Sequence, residues 1–143
     1  MYFRQGGFVA QTDTVSLDDI PRVYEALKTT GQDGSFAVFM PPKLEPDEDA
    51  LNIQFSIENG SIGLDWVLIS PVNIRDKGKF VELLNTKRIP YRELEMNNVS
   101  YLRIEDGRSA KMCQSMLEEM YGVSGRIGIE LIVEGFDWPA GDD

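Results

Sequence analysis

The chain has 143 residues, 24 acidic side chains against 14 basic ones, no histidine and one cysteine. Its formal charge of -10 speaks against DNA or RNA as a partner, because phosphate binding relies on basic clusters and counterion release. Without histidine there is no histidine base, no Ser-His-Asp or Cys-His nucleophile and no histidine metal site, and a lone cysteine makes neither an internal disulfide nor a multi-thiolate zinc site.

The length fits one domain with a core of its own. Residues 1–7 lack the basic region and apolar run of a signal peptide, and no apolar stretch approaches the ~20 residues of a membrane span. A cytoplasmic protein with no membrane partner is expected.

A first helix is expected over residues 17–30. Ser16 and Asp19 have capping-box spacing, and Pro21 is tolerated in a first turn. Ile20, Val23, Tyr24 and Leu27 make one apolar face, and Gly31 reads as the C-cap. A short strand follows at 36–40, stopped by Pro41 and Pro42. Next comes an acidic loop carrying Glu45, Asp47, Glu48 and Asp49. It lacks the ligand spacing and glycine of a calcium loop and reads as a solvated segment.

Asn59-Gly60 is the preferred dipeptide of a type I′ hairpin. That turn pairs Glu58 with Ser61 and puts Ile57–Ile62, Phe55–Leu64, Ile53–Trp66 and Leu51–Leu68 on one face. Ser56–Gly63 and Gln54–Asp65 fall on the other, so Asp65 is expected to face solvent. A one-residue slip would expose the apolar set, which specifies the register.

A second helix is expected at about 76–87, capped by Asp76, with Phe80, Val81, Leu83 and Leu84 as its apolar side. Pro90 ends it. A strand at 91–96, a turn at Asn97-Asn98 and a strand at 99–105 follow. Asp106-Gly107 is a further turn. Ser109 is expected to cap a third helix running to Tyr121, with Gly122 as its C-cap. Met112, Cys113, Met116, Leu117, Met120 and Tyr121 form its stripe. Ile127, Ile129, Leu131 and Val133 alternate as a last strand.

The order α-β-β-β-α-β-β-α-β predicts a single α+β domain, residues 1–143. Its sheet is mostly antiparallel, with helices packed on one face. Residues 62–133 read β-α-β-β-α-β, the ferredoxin-like pattern. Residues 17–121 read α-β-β-β-α-β-β-α. In that order, and in size and acidity, the chain resembles the small acidic chaperones of type III secretion and related chaperone-like families. The resemblance carries no residue motif, so no functional residue transfers with it. It implies a homodimer that holds an extended segment of a client protein.

No phosphate-loop lysine motif or dinucleotide fingerprint is present, since Gly6-Gly7 and Gly125-x-x-Gly128 are too short for either. No cofactor is expected. Cys113 sits on the apolar stripe and reads as a buried structural thiol. Met112, Met116 and Met120 recur every four residues, the composition of an adaptable binding face or of a core stripe. Phe136 and Trp138 near the tail could dock on a partner or fold back on the core.

Charge is uneven. Residues 1–50 carry a net of -5, residues 51–100 a net of zero and residues 101–143 a net of -5. The basic side chains of the middle third run from 75 to 92: Arg75, Lys77, Lys79, Lys87, Arg88 and Arg92. This stretch is either a solvated helix face or a contact for an anion, an acidic partner or a second copy.

These features point to a non-enzymatic protein-binding module with a basic partner protein, either an adaptor of chaperone-like type or an immunity-type inhibitor of a basic toxin. The candidate partner-binding residues are Met112, Met116, Met120, Phe136, Trp138, Arg75, Lys79 and Arg88. The alternative is a small-ligand or enzymatic α+β domain with a site between sheet and helices, using Asp65, Trp66, Tyr101 and Arg103.

Overall fold

The structure is a computed structural model that describes residues 10–139. The N-terminal stretch 1–7 and the end of the acidic tail lie outside them. Within the described residues seven strands form one antiparallel sheet: β1 (Gln11–Val15), β2 (Phe36–Met40), β3 (Ile53–Glu58), β4 (Ser61–Val67), β5 (Arg92–Met96), β6 (Val99–Ile104) and β7 (Ile129–Glu134). Their spatial order is β1-β7-β2-β3-β4-β6-β5. Four helices, α1 (Ile20–Thr30), α2 (Pro71–Arg75), α3 (Lys77–Thr86) and α4 (Ser109–Tyr121), complete the single-domain α+β fold.

One apolar cluster explains the layering. Ile20, Val23 and Leu27 of α1, Phe80 and Leu84 of α3, and Met112, Met116 and Leu117 of α4 meet Phe39, Ile53, Phe55, Leu64, Trp66, Ile104 and Leu131 on one face of the sheet. Trp66 stacks on Phe80 with ring centroids 4.3 Å apart, and its Nε1–H donates to the Asn73 carbonyl at 2.8 Å. This large ring thus satisfies its polar atom while buried.

The central hairpin takes the register expected from its turn. Glu58 faces Ser61, and the ladder runs on through Phe55–Leu64 to Gln54–Asp65. Asn59 (φ 53°) and Gly60 (φ 79°) both occupy the left-handed region that a type I′ turn demands. The expected Leu51–Leu68 pair lies beyond this ladder. The Leu68 N–H donates instead to the Ser100 carbonyl at 2.9 Å, so the chain has already turned to follow β6.

Helix starts and stops match their chemistry with three corrections. The first expected helix opens as a 3₁₀ turn, Leu17–Asp19, before α1; the Ser16 N–H donates to Asp19 Oδ2 at 2.9 Å. The helix expected at 76–87 is α3, and an unexpected short helix precedes it: Pro71 starts α2 after Ser70, and Asp76 separates it from α3. The Asp76 carboxylate caps neither helix, because it binds Arg75 and Tyr121. Ser109 is the first residue of α4 rather than its cap, and its hydroxyl donates back to the Asp106 carbonyl at 2.6 Å. At the far end Gly122 (φ 66°) closes α4, with the Val123 N–H reaching the Leu117 carbonyl at 3.0 Å.

β1 was not expected. Its sequence Gln-Thr-Asp-Thr-Val has one buried apolar residue, Val15, and it gains its order by pairing with β7. The α2–α3 crossover from β4 to β5, with β6 between those strands, forms a split βαβ unit of ferredoxin-like kind. β7 lies beyond β2 and β3 rather than beside β4.

Candidate functional site

The second face of the sheet is where charge and burial coincide. Strand alternation puts Gln54, Ser56 and Glu58 of β3, Gly63 and Asp65 of β4, and Tyr101 and Arg103 of β6 together on it. The sheet curls so that β6 reaches over β3: the Tyr101 hydroxyl donates to Glu58 at 3.1 Å, although β4 lies between their strands. Asp65 and Arg103 are 0% and 1% exposed. The expectation that Asp65 faces solvent is therefore overturned. The polar side of the hairpin is an interior.

Arg103 is the hub. Its Nε–H donates to Glu105 at 2.7 Å. Nη1 donates to Ser56 Oγ and Asp65 Oδ1, both at 2.8 Å. Nη2 donates to the carbonyls of Ser56 at 3.2 Å and Ser61 at 2.7 Å. A guanidinium has five N–H donors, and all of them are used. Asp65 in turn accepts from Gln54 Nε2 at 2.9 Å and from the Ser56 hydroxyl at 2.6 Å. Gln54 Oε1 is the exception, buried without a hydrogen-bond partner.

Gly63 makes this packing feasible. A Cβ at that position would stand 2.7 Å from Arg103 Cζ, so the guanidinium lies flat on bare backbone. Burial pushes the Asp65 carboxyl above its ordinary range, against the pull of Arg103, Gln54 and Ser56. Burial also opposes the Arg103 charge, yet Asp65, Glu105 and Glu58 hold its pKa above the usual value. Burial and Glu58 push Tyr101 up to about 12. A fully bonded arginine, an enclosed carboxylate and a reluctant phenol make a clasp between β3, β4 and β6, with no guanidinium donor left over for a ligand.

The residues expected to share a ligand site do not share one. Asp65, Tyr101 and Arg103 belong to the clasp, whereas Trp66 points into the helical core. A cleft of about 660 Å³ opens elsewhere, at the β1 end of the sheet, lined by Thr12, Asp13, Thr14, Met40, Lys43 and Glu130 among others. Residue spacing gave no hint of it, because β1 itself has no pattern. Among the described residues no group of three or more Cys, Asp or Glu is placed to hold a metal ion.

The candidate partner-binding residues are dispersed. Met112 and Met116 are 1% and 0% exposed in the core and present no surface, while Met120 is half-buried. Trp138 folds back on the core. Its Nε1–H donates to Asp13 at 3.0 Å, and the Arg22 guanidinium lies 4.4 Å over its ring. Phe136 is half-buried. Cys113 is buried, and that burial raises its thiol pKa far above the ordinary value.

The basic stretch of residues 75–92 is largely cancelled in space. Arg75 grips Asp76 through two hydrogen bonds, at 2.9 and 3.0 Å, and also binds Glu48 of the acidic loop. Lys77 pairs with Glu93 at 3.2 Å, Lys87 with Glu119 at 2.9 Å and Arg92 with Glu105 at 3.0 Å. Lys79 and Arg88 are exposed and form no ion pair among the described residues. Arg75 is the first cause that holds Asp76 below the ordinary carboxylate range, as Arg103 does for Glu105. Arg108 holds Asp106 down at about 2, and the Ser16 backbone N–H lowers Asp19.

Among the described residues no helix is long and apolar enough to cross a membrane. No family model matches the chain, and no curated protein or solved structure matches it.

Proposed function

We propose that the chain is a non-enzymatic protein-binding module of the cytoplasm whose partner is a basic protein. One observation carries the reading: seven of the fourteen basic side chains are neutralised within the chain itself. Arg22, Arg75, Lys77, Lys87, Arg92, Arg103 and Arg108 each pair with a carboxylate of the same chain, and the carboxylates left over still outnumber the remaining cations, which keeps the formal charge of -10 as net acid. Such a charge steers a basic protein into encounter. The buried polar cluster supports the same reading, because all five donors of its arginine are spent on holding strands together.

Two forms fit. An adaptor of the type III secretion chaperone kind would dimerise without its client and hold an extended client segment. An immunity-type inhibitor would bind one folded basic toxin tightly and abolish its activity. The test is recovery of the bound protein from the native cell, followed by titration with purified components. The partner should be basic, and its affinity should weaken at least about tenfold between about 50 and 500 mM salt. An acidic partner or a salt-independent complex would sink the proposal.

A small-ligand role has one observation in its favour, the cleft beside β1, where Lys43 and Glu130 offer opposite charges and Thr12 and Thr14 offer hydroxyls. A concentration-dependent rise in melting temperature with one metabolite, lost in Lys43→Ala, would favour it over protein binding.

A further inference from the structure

The sheet ends at β5, and no backbone group of another described element bonds to the outer side of that strand. An edge of this kind is a template for an added strand. Its side chains alternate. Glu93 and Glu95 lie on the helical side, opposite Leu102 and Ser100, while Leu94 and Met96 lie on the curled side, opposite Tyr101 and Val99. Glu93 is 61% exposed even though it meets Lys77, Glu95 is exposed, and Leu94 and Met96 are half-buried. The edge thus offers two carboxylates on one side and an apolar strip on the other.

A second copy is a poor occupant. Antiparallel pairing of β5 with itself sets residues of the same face opposite each other. Centred on Leu94, it places Glu93 against Glu95 twice; centred on either glutamate, it places that residue against its own copy. Joining β5 to the β1 edge of another copy, with the helical faces on one side, is parallel, because the two edges of seven alternating strands run the same way; its well-overlapped registers set Asp13 level with Glu93 or Glu95. Like charges directly opposite destabilise a sheet. The same two carboxylates favour a strand that carries cations at their spacing.

We infer that β5 is the docking edge for an extended segment of a basic protein. That segment has Lys or Arg at two alternate positions facing Glu93 and Glu95, with an apolar residue between them over Leu94. This rests on the reading of the chain as a binder of a basic protein and names the surface and the partner's local pattern. Backbone hydrogen bonds would supply the affinity and the paired charges the choice of sequence.

The test uses the full chain and a short probe peptide of alternating lysine and valine, followed by fluorescence anisotropy and by amide exchange of residues 92–96. The peptide should bind and protect the amides of β5. Its counterpart with glutamate for lysine, and its fully N-methylated form, should not bind. Glu93→Gln with Glu95→Gln should weaken binding by about threefold to tenfold, the range expected for two cross-strand ion pairs. No binding of the lysine peptide, equal binding of the N-methylated one, or unchanged affinity in the double variant would each overturn the assignment. So would β5 protection that grows with protein concentration alone, the mark of self-pairing. If the native basic partner binds the double variant as tightly as the parent, the edge is wrong and the protein-binding reading stands. If no basic protein binds at all, that reading fails as well.

Discussion

Removing Arg103 tests whether the buried polar cluster is a clasp. Arg103→Met keeps most of the aliphatic volume and deletes the charge. Asp65, 0% exposed, would then retain only Gln54 and Ser56 as donors, and Glu58 and Glu105 would lose the cation they share. Breaking a buried pair from one side costs about 3–5 kcal/mol, a large share of a typical stability of about 5–15 kcal/mol. Asp65→Asn should cost less, about 1–3 kcal/mol, because Arg103 keeps Glu105 at 2.7 Å and has Glu58 at 3.5 Å. The double variant should be more stable than the sum of the two losses implies, by about 1–3 kcal/mol, since a neutral amide at position 65 no longer needs a cation. Urea unfolding at neutral pH, with slopes compared as well as midpoints, measures all three. A loss below about 1 kcal/mol for Arg103→Met, or additivity within about 0.5 kcal/mol, would refute the clasp.

Other parts of the fold are exposed to simpler tests. Asp19, Asp76, Glu105 and Asp106 have carboxyls held below their ordinary values of 3.8 (Asp) and 4.5 (Glu). Each stabilises the fold above its unfolded pKa and loses that contribution as pH falls through the lower folded value. Urea midpoints should therefore drop from about pH 4.5 downward. Asp65 opposes this trend, because its raised pKa makes ionisation costly as pH climbs above 3.8; Asp65→Asn should steepen the acid limb, and a midpoint that rises on acidification would contradict the assignment. Gly60→Val puts a branched side chain at φ 79° with nothing nearby to clash, so its cost is backbone strain alone, about 1–2 kcal/mol or roughly 4–8 °C in Tm. An unchanged Tm would mean the turn is not type I′. Cys113, buried with a raised thiol pKa, should resist maleimide at about pH 8 in the native state and react in step with unfolding in urea. Rapid labelling of the folded protein would show the α4 stripe to be open.

Where local pattern and tertiary demand coincide, the sequence reads true. Asn59-Gly60 fixes its hairpin because the turn chemistry and the alternation of Phe55, Ile57, Ile62 and Leu64 require the same register. α1 and α4 are legible for the same reason: their apolar stripes and C-terminal glycines agree. β1 escapes notice because an edge strand with one buried residue needs no apolar alternation; its hydrogen bonds to β7 order it. α2 escapes because five residues that start with proline carry too little periodicity to register. Asp65 was misplaced by a sound rule applied one step too far. Alternation assigns a side chain to a face, but it does not say that the face is wet, and the curl that brings β6 over β3 is a property of seven strands together.

The charge pattern shows the same limit and bears directly on function. Along the chain, residues 75–92 are a basic island between two acidic thirds, which suggests a molecule with a positive face. In space that island is dismantled. Glu48 comes from the loop after β2, Glu93 from the edge strand, Glu105 from the end of β6 and Glu119 from α4, and each removes one of its cations. Sequence distance hid these pairs because every one crosses between elements. What survives is an acidic exterior with Lys79 and Arg88 as the remaining exposed cations of the island. A docking surface for an acidic partner would need those two to act without Arg75, Lys77, Lys87 and Arg92. A docking surface for a basic partner needs only what is already outward-facing. The second demand is the lighter one, and Lys79→Glu with Arg88→Glu separates the two. It should strengthen or leave unchanged the binding of a basic partner, and a marked loss of binding would reverse the sign of the whole reading.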